Sequence, residues 1–187
     1  YANTIYHLYY GMVDLPEGKM KSREGKVVDA DDLVAEMLQT AEEHTKELGK
    51  TEGMNPDEAH LLYRILGIGA LKYFMLRVNA QKRILFNPKE SVDFQGNTGP
   101  FIQYSYARIN SILRKFGQDY ILPHYQVETL HPFEKDLIAE LLQYEQALQT
   151  AADTLDPSVV ANYAFAVAKT YNKLYAELSV MNNSNPH

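Results

Sequence analysis

Apolar residues fall at helical spacing along most of the chain. From Asp29 to Gly49 the stripe is Leu33, Val34, Met37, Leu38 and Ala41, and Asp29, Asp31 or Asp32 can cap the helix and favour its positive end. A polar linker, GKTEGMN, follows. The next helix starts clearly: Asn55 is an N-cap, Pro56 fits the first helical position, and Glu58 stands three residues after the cap. It is apolar on several sides to about Arg77, which predicts a central place in a bundle. Gly67 and Gly69 each cost about 1 kcal/mol of helix stability relative to alanine, so close helix packing is expected there.

Residues 78–97 read as a long connection ending in FQGN, with extended structure at Arg83 to Phe86. Three more helices are predicted, over Thr98 to Phe116, Pro132 to Thr154, and Pro157 to Met181 with Asp156 as N-cap. Residues 1–18 mix aromatic and apolar positions and end in Pro-Glu-Gly, which predicts a short extended segment and a loop. The fold class is therefore all-α, a helical bundle preceded by a small extended region. The boundary between them falls near residues 26–30 or in the 49–55 linker.

The helix from Thr98 carries two stripes. Ile102, Ile109 and Phe116 recur every seven residues, with Ile112 and Leu113 between them, and predict a core-facing side. Roughly 100° around the helix lie Asn97, Phe101, Tyr104, Arg108 and Lys115. An amide, two rings and a guanidinium on one face suit unpaired RNA bases, which stack on rings and guanidinium planes. The same stripe also reads as a second packing face with Arg108 at its rim. Fourteen tyrosines are present, and Tyr63, Tyr73, Tyr144, Tyr163, Tyr171 and Tyr175 read mostly as core residues.

Charge divides the chain. Residues 1–59 hold 6 cations and 13 carboxylates, residues 60–118 hold 9 and 2, and residues 119–187 hold 3 and 9. A basic middle third within a net charge of −6 suggests a local anion-binding surface or a helix paired with acidic flanks. No cysteine is present, so disulfides and thiolate metal sites are excluded. His7, His44, His60, His124, His131 and His187 are scattered without ligand spacing, and no metal site is expected. The best membrane candidate, Leu61 to Leu76, is broken by Arg64 and Lys72. One stretch remains, GKMKSREGK at 18–26. Its glycines let the backbone bend, and Lys19, Lys21 and Arg23 can point at one anion with Ser22 as a further donor. A solvated basic turn is the commoner reading of such a stretch.

Three segments resemble one family in its own order. GKMKSREG followed by KVVDADDLV resembles the KMSKS-type loop of arginyl-tRNA synthetases. DFQGNTGPFIQYSYARINSILRK is similar to the start of a key helix in that family's anticodon-binding domain, and residues 141–180 resemble the helical pair that follows. The resemblance implies a class I synthetase that joins arginine to its tRNA with ATP and magnesium, in the cytoplasm and without a membrane. It implies that residues 1–28 are the tail of a Rossmann-like α/β catalytic domain and residues 29–187 the helical anticodon-binding domain, short of its last helix. Lys19, Met20 and Lys21 would meet the ATP phosphates, and Lys19, Lys21, Ser22 and Arg23 would be catalytic. Ser22 stands where the generic loop has its second lysine, and Lys21 where it has a serine. Asn97, Phe101, Tyr104 and Arg108 would face the anticodon of the arginine tRNA.

The chain starts at tyrosine and is expected to be a piece of a longer enzyme, with the HIGH-type nucleotide site and the arginine pocket upstream. Alone it is expected to be inactive and to bind no cofactor. The complete enzyme is expected to be a monomer, while an apolar groove left without the last helix would promote self-association of the piece. Cysteinyl or methionyl synthetases, or a non-enzymatic helical RNA-binding module, are the alternatives.

Overall fold

The computed structural model describes residues 6–15, 18–19, 29–49, 51–116 and 129–178. The predicted start signals operate as expected. Asp29 accepts from the Asp31 amide and opens α1, Ala30–Glu47. Asn55 accepts from the Glu58 amide at 2.8 Å and opens α2, Pro56–Leu76. Ahead of them, β1 (Val13–Leu15) pairs antiparallel with β2 (Gly18–Lys19). On its other edge β1 pairs parallel with β3 (Ile84–Leu85), giving the order β2-β1-β3. This small sheet ties residues 13–15 to the connection that follows α2. An ion pair between Arg83 and Asp14 lies across it.

The core forms where α1 and α2 meet this connection. Met37, Ala41, Leu66, Ala70, Phe74, Phe86 and Val92 are buried together, with Phe74 and Phe86 edge to face at 5.0 Å. The expected close packing at the two glycines is present. A Cβ on Gly67 would lie 2.8 Å from the Met37 carbonyl oxygen of α1, and one on Gly69 would meet Gln103. A short helix, α3 (Pro88–Ser91), leads to α4 (Gly99–Phe116), which packs on α2. Beyond it, α5 (Pro132–Leu141) and α6 (Tyr144–Thr154) both pack on α7 (Ser158–Glu177), which also lies against α4. Among the described residues no helix is long and apolar enough to cross a membrane.

Two expectations need correction. The helix expected over Pro132 to Thr154 is two helices, because the chain tightens at Leu142 and Gln143, where Gln143 N–H bonds to the Glu140 carbonyl. More importantly, the stripe read as the core-facing side of α4 is only partly covered, with Ile102 and Ile112 half-buried. Ile109 is 38 % exposed and Leu113 60 % exposed, and neighbouring Tyr106 is 70 % exposed. With Ile102 and Ile109, Tyr106 lines an apolar recess of about 360 Å³, closed on the far side by Leu141, Tyr163 and Tyr171. Ile102 and Ile109 share this recess with Val160, Ala164 and Ala168 of α7, and Phe101 and Arg108 of the polar-aromatic stripe meet the same helix.

Candidate nucleic-acid interface

Of the stripe from Asn97 to Arg108, Phe101 and Arg108 meet α7, while Asn97 and Tyr104 find other neighbours. Asn97 leads into α4 and is held from α2: its side-chain oxygen accepts from the Tyr73 hydroxyl, and its carbonyl accepts from Arg77. Burial pushes the Tyr73 hydroxyl up to about 12, although the Arg77 charge pulls the other way. Phe101 packs against Phe165 of α7 with ring centroids 5.4 Å apart. Tyr104 is the exposed member, at 38 %. Its ring stands edge-on to Phe94 at 6.2 Å, and Phe94 stacks on His44 of α1.

Arg108 is half-buried where the two helices meet. Its guanidinium carbon lies 4.9 Å from the Tyr104 ring centre and 4.5 Å from that of Tyr175 on α7, both within cation–π range. Its Nη1 donates to Asn172 Oδ1, and Asn172 Nδ2 donates to Ser105 Oγ at 2.6 Å. The Tyr171 hydroxyl, one turn before Tyr175, is pushed up by burial and pulled back by the Arg108 charge. The structure thus brings Phe101, Tyr104 and Arg108 to one seam, where Tyr104 and the edge of Arg108 form the accessible rim. Rings beside a guanidinium offer flat surfaces on which splayed bases can stack.

Two residues of this rim were not singled out from the sequence. Tyr175 reads there as one more helical tyrosine, and Asn172 as an ordinary polar residue. The signal that could have found them is their spacing of three on α7, which puts both on one face. Of the loop residues, the backbone of Lys19 pairs with Asp14 in the sheet. Met20, Lys21, Ser22 and Arg23 lie outside the described residues. Among the described residues no cluster of three or more histidines and carboxylates could hold a metal.

Comparison with known proteins matches residues 102–187 to the family described as DALR anticodon binding domain. Residues 1–87 match the catalytic domain of the class I (R) tRNA synthetases. The arginine–tRNA ligase of Amoebophilus asiaticus is 56 % identical over 185 residues, which is 97 % of this chain and 31 % of that protein. That of Flavobacterium psychrophilum is 51 % identical, over 97 % of this chain and 30 % of its own length. The arginyl-tRNA synthetase structure from Thermus thermophilus superposes with a TM-score of 0.81 at 29 % identity, covering 99 % of this chain and 29 % of that one. The chain spans about three tenths of the length of the curated relatives it matches. Both family matches and these relatives point one way, and the chain belongs to the arginyl-tRNA synthetase family.

Proposed function

We propose that this chain is the anticodon-recognising part of an arginine–tRNA ligase, joined to the segment of the catalytic domain that carries the ATP-phosphate loop. The complete enzyme activates arginine with ATP and magnesium and transfers it to the arginine tRNA in the cytoplasm. Residues 1–28 belong to the catalytic side and residues 29–187 to the tRNA side. The observation that carries the tRNA half is Arg108, held beside the exposed Tyr104 ring and against Tyr175 on the neighbouring helix. Asn97, Phe101, Tyr104 and Arg108 build the face that meets the anticodon loop, with Tyr104 and Arg108 at its rim and Asn97 and Phe101 anchoring the helix behind them. A catalytic-domain match that includes residues 1–28 and runs on to residue 87 supports the catalytic half, in which Lys19, Met20, Lys21, Ser22 and Arg23 act on the phosphates.

The protein binds the anticodon arm of the arginine tRNA, more weakly as salt rises, because phosphate contacts release counterions. Arg108→Ala lowers that affinity while the circular dichroism spectrum stays unchanged; equal affinity of the two proteins removes the role given to Arg108. In the complete enzyme, Lys19→Ala or Lys21→Ala slows arginine-dependent pyrophosphate exchange by roughly 10²-fold. Normal exchange in both variants reduces the loop to a spacer. The complete enzyme is read as a monomer, and light scattering on this chain tests whether its apolar recess beside Ile102 drives self-association.

A further inference from the structure

Three hydrogen bonds lead from the backbone of α4 to Arg108, and chemistry fixes the direction of each. The Ser105 hydroxyl donates to the Phe101 carbonyl one turn earlier, at 2.8 Å. A carbonyl only accepts, so the single Ser105 proton is committed. Toward α7 the buried Ser105 oxygen can then act only as an acceptor, and it takes the Asn172 Nδ2–H at 2.6 Å. With its nitrogen turned to Ser105, the Asn172 amide turns its oxygen to Arg108, whose guanidinium has donors and no acceptor. The flipped amide would set NH₂ against the guanidinium and a carbonyl against a hydroxyl with no proton left to give. Both ends of the relay therefore select one orientation.

We propose that Asn172, oriented by Ser105, is a positioning residue for Arg108. It holds the guanidinium against the Tyr104 and Tyr175 rings before RNA arrives, in the orientation that meets an unpaired anticodon base. An arginine left free would lose rotamer freedom on binding; one already held loses little. Asn172 itself need touch no nucleotide. The inference rests on the anticodon-binding reading above and adds to it a residue on the partner helix.

The test measures binding of the arginine tRNA anticodon arm to the protein and to Asn172→Ala, Ser105→Ala, Arg108→Ala and the double variant Asn172→Ala/Arg108→Ala. Thermal melts accompany each. Asn172→Ala should weaken binding by roughly 3- to 10-fold without changing the salt slope, since no charge is removed. Ser105→Ala, which leaves Arg108 and Asn172 in place, should give a smaller loss in the same direction. In the Arg108→Ala background the Asn172 change should cost nothing further, because a positioning residue has then nothing to position. Wild-type affinity in both Asn172→Ala and Ser105→Ala, or an Asn172 loss that persists undiminished without Arg108, overturns the proposal. Wild-type affinity of Arg108→Ala overturns the anticodon reading itself, a separate outcome.

Discussion

A Cβ built on Gly99, at the start of α4, would stand 2.7 Å from the carbonyl oxygen of Gly69 on α2. The α4 backbone comes this close to α2 because Gly99 carries no side chain. At Gly67 the contact is of the same kind, with the Met37 carbonyl of α1 at 2.8 Å. At Gly69 the nearest obstacle is instead the flexible end of Gln103, at 2.3 Å, whose amide donates to the Ile65 carbonyl. The three glycines should therefore respond differently to alanine. Gly67→Ala and Gly99→Ala force whole helices apart and should destabilise by about 1–3 kcal/mol. Gly69→Ala moves one side chain, loses one hydrogen bond of about 1 kcal/mol, and regains about as much in helix propensity. Its denaturation midpoint should stay near that of the wild type, and a midpoint as low as that of Gly99→Ala would contradict this account.

Arg108 should act through its plane, not only its charge. A lysine keeps the cation but not the flat guanidinium that lies near both tyrosine rings and donates to Asn172. Arg108→Lys should lower affinity for the anticodon arm by roughly 1–3 kcal/mol, the scale of one stacked base, with the salt slope unchanged. Wild-type affinity in the lysine variant would make Arg108 a point charge.

The ends of the helices were legible in the sequence, and the orientation of α4 was not. Asn55, Pro56 and Glu58 state a start in local chemistry, and the structure uses the Asn55 cap as written. The break at Leu142 and Gln143 has no glycine or proline to mark it. For α4, periodicity finds two stripes but cannot say which meets a neighbour. Phe101 and Arg108 gained partners on a helix some sixty residues away, Phe165 and Asn172, while Ile109 lines an open recess beside that same helix and Leu113 is exposed. Only the tertiary arrangement decides that choice. The loop carrying Lys21 and Arg23 is read through its resemblance to a family, since its composition alone more often describes a solvated turn.

The C-terminus of α6 carries strain that one substitution should relieve. Leu155 adopts φ 53° and ψ 38°, a left-handed conformation that usually falls to glycine or asparagine. The Asp156 amide closes the turn onto the Ala151 carbonyl at 3.0 Å. A side chain here costs about 1–2 kcal/mol, and the Leu155 side chain is half exposed, so it returns little packing. Glycine gives back part of that gain through its freer unfolded state. Leu155→Gly should therefore raise stability by about 0.5–1 kcal/mol in urea denaturation; a lower midpoint would show that the leucine packs more than its exposure suggests.

Tyr73 should give the fold a specific weakness to alkali. Burial raises its hydroxyl from the ordinary 10.0 to about 12, against the opposing Arg77 charge, and the protonated hydroxyl donates to Asn97. The folded state thus holds the proton longer than the unfolded one. Below pH 10 both states are protonated and the contribution is complete; between pH 10 and 12 only the unfolded state ionises, and the contribution is lost as pH rises. Tyr73→Phe lacks this titration but also lacks the bond to Asn97, worth about 1 kcal/mol. At neutral pH the variant should be the less stable protein. As pH rises from 10 toward 12 the wild type should lose this advantage, so that the two stability curves converge and then cross, because the rise from 10.0 to about 12 outweighs one hydrogen bond. A difference that stays constant over that window, measured by denaturation at each pH, would mean that Tyr73 ionises alike in both states.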